Sequence, residues 1–215
     1  MPEIAWRPTP EQVARSNVGR FMAEQDVGDF GELVERSIGD PAWFWDAVVQ
    51  FLGIEFAVPY ERVLDSSDGI EWTKWFVGGR LNLAVTCLDR HAHDPDRRDQ
   101  PAIVWEGEEG STRTLTYAEL LTMTDRLAAG LAARGVGAGD AVGLFLPMIP
   151  ETVAAVLAVA KLGAIFLPIF SGYGAEAVAV RLADAGAVAL ITADGFTRRG
   201  RAVPMKETAD AAAAS

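Results

Sequence analysis

Three apolar runs constrain this chain more than any other feature. They are residues 141–146 (AVGLFL), 164–170 (AIFLPIF) and 188–192 (VALIT). Each is strand-length, and the segments between them are helix-length with their own start and stop signals. Pro150 and Glu151 open one helix, expected to end near Gly163. Residues 175–185 form the next, closed by Gly186. Upstream, Thr116 and Glu119 have capping-box spacing, so a helix is expected from there to about Arg134, stopped by Gly135. Strand, helix, strand, helix, strand implies right-handed crossovers and a parallel sheet. Nearly unbroken apolar strands are those expected to be covered on both faces.

The flanking segments complete the reading. PAIVWEGEEGSTRTLTY, from Pro101 to Tyr117, predicts a β-hairpin with Gly110 supplying positive φ in its turn. A further helix is expected to begin at Met205. Residues 1–27 read as a loosely ordered arm with one helix near 11–25. Residues 28–85 read as a mostly helical, tryptophan-rich extension. Within it Asp40 is a helix cap and Pro41 suits the first turn. Trp43, Phe44, Ala47, Val48 and Phe51 recur at helical spacing and would bury one face. Residues 86–215 read as the start of the α/β domain, cut short. The fold class is therefore α/β: a helical N-terminal extension followed by the first, incomplete part of a doubly wound parallel sheet domain.

Charge narrows the partners. The formal net charge is −11 over 215 residues, which argues against nucleic acid or an anionic membrane surface. One cysteine, Cys87, excludes an internal disulfide. The start, MPEIAWRPTPEQ, lacks the basic and apolar regions of a signal peptide. The most hydrophobic stretch, residues 153–170, is interrupted by Lys161 and Pro168, and reads as buried helix and strand rather than a membrane span. A cytoplasmic protein is expected.

Four motifs invite chemistry. GVGAG (135–139) follows a helix and precedes a strand, the reverse of a phosphate loop, so it reads as a helix stop and turn. FSGYG (170–174) has the strand-to-helix order but lacks the lysine and hydroxyl of a nucleotide loop, so it reads as a close-packed turn. Cys87, His91 and His93 lie close together, yet no second cluster completes a four-ligand site, and no metal is expected. RRGR (198–201) is placed on a loop past the end of the third strand. Ligands bind at the carboxyl ends of parallel strands, and arginine suits phosphate oxygens. Three arginines in four residues stand out in an acidic chain. A solvated loop is the alternative. No Ser-His-Asp or Cys-His arrangement suggests itself, so no catalytic residue is assigned.

Taken in order, WTKWFVGGRLNLAVTCLDRH, AIVWEGEEGSTRTLTYAEL, GVGAGDAVGLFLPMIPETVAAVLAVAKLGAIFLPIF and ITADGFTRRGR resemble the AMP-forming acyl-CoA synthetases, of acetyl-CoA-synthetase type. The resemblance covers about residues 30–215 and implies the N-terminal portion only. It implies an acid–thiol ligase: a carboxylate attacks ATP to give an acyl-adenylate and pyrophosphate, and the CoA thiol then displaces AMP. It implies ATP, Mg²⁺ and CoA for the full-length enzyme, and acetate or another short acid as the carboxylate. It implies that Arg198, Arg199, Gly200 and Arg201 match a loop contacting the nucleotide end of CoA. The family's Gly-Lys ATP loop, its Tyr-Gly-Thr-Glu segment and its catalytic lysine have no counterpart in these residues, so the chain alone is expected to be inactive. The alternatives are a non-catalytic CoA-binding or interaction module derived from the family, and an unrelated doubly wound nucleotide-binding domain.

Overall fold

The computed structural model describes residues 6–214, in two compact units that divide between Leu81 and Asn82. In the first unit, helices α1 (Pro10–Arg15) and α2 (Asn17–Glu24) replace the single helix expected near 11–25. Ser16 divides them. Its backbone is extended, ending α1, and its hydroxyl oxygen accepts the Gly19 N–H at 2.9 Å, starting α2. Helix α3 (Phe30–Gly39) is capped by Asp29, and α4 (Pro41–Phe51) by Asp40, with Pro41 in its first turn as expected. Phe21, Val27, Leu33 and Ala47 form the core of these helices, with Phe44 and Phe51 edge-on to Phe21.

Residues beyond α4 are less helical than the sequence suggested. Strands β1 (Arg62–Asp65) and β2 (Lys74–Val77) pair antiparallel, with Leu64 opposite Trp75. The β-branched and aromatic residues of RVLD and KWFV suit a half-buried strand better than a helix. Tyr60 donates its hydroxyl to Asp46 of α4. That bond, burial and the Asp46 charge push the phenol up to about 12. A phenol raised in the folded state contributes stability below its unfolded value, about 10, and loses it as pH rises through 12. Ultraviolet titration should therefore show one late-ionising tyrosine that Asp46→Ala returns to the ordinary range. An unchanged titration curve for that variant would remove Asp46 as the cause.

The second unit opens with a π-helical turn (Val85–Asp89) and the short α5 (Arg90–Ala92). The predicted hairpin is β3 (Pro101–Glu106) with β4 (Thr112–Thr116), and Gly110 has φ of 80° in its turn. Helix α6 (Tyr117–Ala132) starts on the Thr116–Glu119 capping box, and Gly135 follows it at φ of 89°. Then come β5 (Ala141–Phe145), α7 (Pro150–Lys161), β6 (Ile165–Pro168), α8 (Ala175–Asp184) and β7 (Ala187–Thr192). The three strands are parallel in the order β6-β5-β7.

Only the central strand is covered throughout. All five residues of β5 are buried. Val142 and Leu144 face α6 and α7, against Leu131, Ala155 and Val159. Phe145 faces the other way, against Val178 of α8 and against Met205 and Ala209 of α9 (Met205–Ala213). A β-carbon added at Gly143 would lie 2.5 Å from a methyl carbon of Leu182, so α8 sits close on β5 and a side chain there would require Leu182 to shift. The flanking strands differ from the expectation of cover on both faces: Ile165 of β6 is 58% exposed and Val188 of β7 60%. Each has a strand neighbour on one side only.

A partly exposed polar brace ties the helices together. Lys161, ending α7, reaches Asp89 at 2.9 Å and Asp125 of α6 at 2.5 Å. Burial alone would lower its pKa, but hydrogen bonds to the two carboxylates outweigh that and raise it. Nearby, the Asn82 amide donates to the Ala160 and Lys161 carbonyls, satisfying the open end of α7.

Candidate functional site

RRGR does not occupy the loop that the sequence suggested. Strand β7 ends at Thr192, and after two intervening residues a small antiparallel hairpin begins, β8 (Gly195–Arg198) with β9 (Arg201–Pro204). Phe196 lies opposite Val203, and both pack on the Phe145–Met205 core, which seats the base of the hairpin. The turn is Arg199–Gly200, with φ of 52° and 71°. Two residues at positive φ match the twist of the strands they join. An Arg-Gly pair is a weaker turn signal than Asn-Gly or Asp-Gly, so the hairpin was read as open loop.

The turn brings the arginines together. Arg198 and Arg201 are direct cross-strand partners and so share one face of the hairpin. All three arginines are exposed. Among the described residues none of them makes a side-chain hydrogen bond or ion pair. Like charges directly opposite on a strand pair repel. An anion lying between the two guanidiniums would relieve that repulsion.

The hairpin tip is held from a second direction. The turn of the β3–β4 hairpin, Gly107–Gly110, presents Glu108 and Glu109. The Glu108 carboxylate accepts the Gly200 N–H at 2.9 Å. The neighbouring Thr197 hydroxyl chiefly holds the Glu109 carboxyl below the usual range. The acidic turn is itself anchored. Trp105 donates its indole N–H to the Met148 carbonyl at 2.7 Å, and Arg113 pairs with Glu151 at the start of α7, also at 2.7 Å. Between these parts lies a cleft of about 450 Å³, lined by Trp105, Glu109, Met148, Ser171, Phe196 and Thr197. Met148, Ser171 and Phe196 all follow the carboxyl ends of β5, β6 and β7. Ligands enter doubly wound sheets at that edge.

Sequence reasoning missed Glu108, Glu109, Trp105 and Thr197. EGEEG reads locally as a turn, and only the tertiary contact joins it to residues some ninety positions later, as the Glu108–Gly200 bond does at a separation of 92.

The other motifs resolve as structure. Gly137 donates its N–H to Asp140 at 2.8 Å within the GVGAG turn. In FSGYG, Phe170 and Tyr173 meet edge-on at 5.5 Å, and Arg181 lies 4.2 Å over the Tyr173 ring. His91 packs against Tyr117 at 5.0 Å, and its imidazole accepts from Arg90. Burial, then Arg90 and Arg97, lower the His91 pKa. Among the described residues no three His, Cys, Asp or Glu side chains converge as metal ligands would.

A doubly wound α/β domain with an exposed arginine hairpin past the carboxyl ends of its parallel strands, preceded by a mostly helical unit, is the class that the fold defines. Residues 88–215 match the family model for AMP-binding enzymes, and the chain belongs to that family. Residues 30–87 match the model for the acetyl-coenzyme A synthetase N-terminus. An acetyl-coenzyme A synthetase from Gemmatimonas aurantiaca is 44% identical over 184 residues, covering 84% of this chain and 27% of the relative. A 3-hydroxypropionyl-coenzyme A synthetase from Sulfurisphaera tokodaii is 40% identical, covering 94% of this chain and 30% of the relative. Acetoacetyl-CoA synthetase from Streptomyces lividans has a similar structure, with TM-score 0.89, 31% identity, and coverage of 98% of this chain and 33% of that one. The chain thus spans a third or less of the length of these relatives. The AMP-forming acyl-CoA synthetase resemblance read from the sequence stands, for the N-terminal portion. Among the described residues no helix is long and apolar enough to cross a membrane.

Proposed function

We propose that these residues are the N-terminal portion of an ATP-dependent, cytoplasmic acyl-CoA synthetase, which joins acetate or another short carboxylate to CoA through an acyl-adenylate. In this reading residues 1–27 are an arm, 28–85 an extension and 86–215 the start of the AMP-binding domain. Their main contribution is scaffold and part of the CoA entry side. Arg198, Arg199, Gly200 and Arg201 take the phosphates at the nucleotide end of CoA. The observation that carries this role is the facing pair Arg198 and Arg201, two like charges held together, neither in an ion pair among the described residues. Guanidinium forks at that spacing fit phosphate oxygens bidentately.

ATP and magnesium are placed differently. The described residues gather no set of metal ligands, so they do not fit a magnesium site, and no step is derived through the ion. Activation of the carboxylate is assigned to the remainder of a full-length protein. The test compares the two forms. Full-length protein should release pyrophosphate and form acyl-CoA with a short acid, whereas the 215-residue chain should do neither above a heat-killed control. Carboxylate-dependent pyrophosphate release by the 215-residue chain would overturn the assignment of activation elsewhere. A full-length protein without acyl-CoA formation would overturn the ligase reading itself.

A further inference from the structure

We propose that Glu108 is a positioning residue for CoA: it holds the arginine hairpin in the geometry that receives the phosphates, without touching them. This rests on the CoA reading above and deepens it. The Gly200 N–H sits in the turn between the arginine pair, and its acceptor is the Glu108 carboxylate at 2.9 Å. A turn of two residues at positive φ has few backbone partners of its own, and Arg199 in that conformation is disfavoured by its β-carbon. An external acceptor at Gly200 fixes the turn without engaging any guanidinium. The carboxylate's bond goes to a backbone amide, and the three arginines keep their donors for a ligand.

The device works because the acidic turn is rigid. Trp105 ties it to the segment after β5, through Met148, and Arg113 ties β4 to α7, through Glu151. The hairpin is therefore held by the turn between β3 and β4, at a point displaced from its own core contacts at Phe196 and Val203. Negative charge near a phosphate site also weakens phosphate binding, so keeping Glu108 has an electrostatic cost. The hydrogen bond it accepts from the Gly200 N–H is set against that cost. Gln at this position separates the two effects, since its carbonyl oxygen accepts the same N–H without the charge.

The test uses three variants in full-length protein: Glu108→Ala, Glu108→Gln and Arg198→Ala. Glu108→Ala should raise the KM for CoA about threefold to tenfold, the scale of one exposed charge-assisted hydrogen bond. Carboxylate-dependent ATP–pyrophosphate exchange should stay unchanged. Glu108→Gln should restore or improve the KM for CoA. In the 215-residue chain, amide exchange at Gly200 should accelerate in Glu108→Ala and not in Glu108→Gln. Unchanged Gly200 exchange in Glu108→Ala overturns the hairpin lock. A raised CoA KM in Arg198→Ala with none in Glu108→Ala overturns positioning and leaves the CoA reading intact. No effect on CoA in Arg198→Ala overturns the CoA reading, and with it the role of Glu108 in CoA binding. Equal loss of exchange activity in Glu108→Ala would show a general fold defect and likewise overturn positioning.

Discussion

Replacing Arg198 or Arg201 with alanine should weaken CoA use by about tenfold to a hundredfold and leave adenylate formation unchanged. In the proposed CoA role, each substitution would remove one charge-assisted contact to phosphate, about 1.5–3 kcal/mol. The hairpin is open to solvent, so screening favours the lower end, and the loss should shrink further as salt is raised. The pair is coupled, because Arg198 and Arg201 face one another. Removing one guanidinium relieves their mutual repulsion in the free protein, so each single variant should melt no lower than the parent. That outcome separates a ligand contact from fold support. The two half-reactions are followed separately in full-length protein, by CoA-dependent thioester formation and by carboxylate-dependent ATP–pyrophosphate exchange. Equal damage to both, or an unchanged CoA dependence, would show that the arginines do not bind CoA.

Phe145→Ala should destabilise the second unit by about 3–5 kcal/mol, the range for a fully buried aromatic. Phe145 is 1% exposed and joins the central strand to α8, α9 and the base of the arginine hairpin. Domains of this size are stable by only about 5–15 kcal/mol, so much of the margin would go. Denaturant titration should show a lower midpoint with an unchanged slope if packing alone is lost. Phe145→Leu, which refills most of the cavity, should recover part of the difference. A shift below about 1 kcal/mol for the alanine variant would mean that the core collapses around the site, contrary to the close packing on β5. Because Phe196 and Val203 rest on the same cluster, residual folded Phe145→Ala protein should also show a loosened hairpin.

The sequence carried the sheet and its crossovers well, because those elements have local causes. The Thr116–Glu119 capping box, Pro150 at the start of α7, and the glycines after α6 and α8 mark ends within a few residues of their cause. Apolar runs without alternation named β5 as a doubly covered strand. Their failure for β6 and β7 has a tertiary reason, since cover depends on neighbours that no run of residues specifies. Ser16 was similarly ambiguous: its cap geometry is local, but the turn between α1 and α2 competes with a helix that the pattern also permits. At the site, arginine type and spacing were legible and their arrangement was not. RRGR could be read as phosphate chemistry, whereas the pairing of Arg198 with Arg201 depends on Arg199 adopting φ of 52°. Glu108 could not be read at all, because its partner is a backbone amide in a distant segment.

Arg199 is where demands on folding and on ligand capture diverge. With φ of 52°, its backbone would be more comfortable as glycine or asparagine. Replacing it with glycine should therefore relieve backbone strain in the turn while removing one cation from the hairpin tip, so a gain in stability and a loss of positive charge would arrive together.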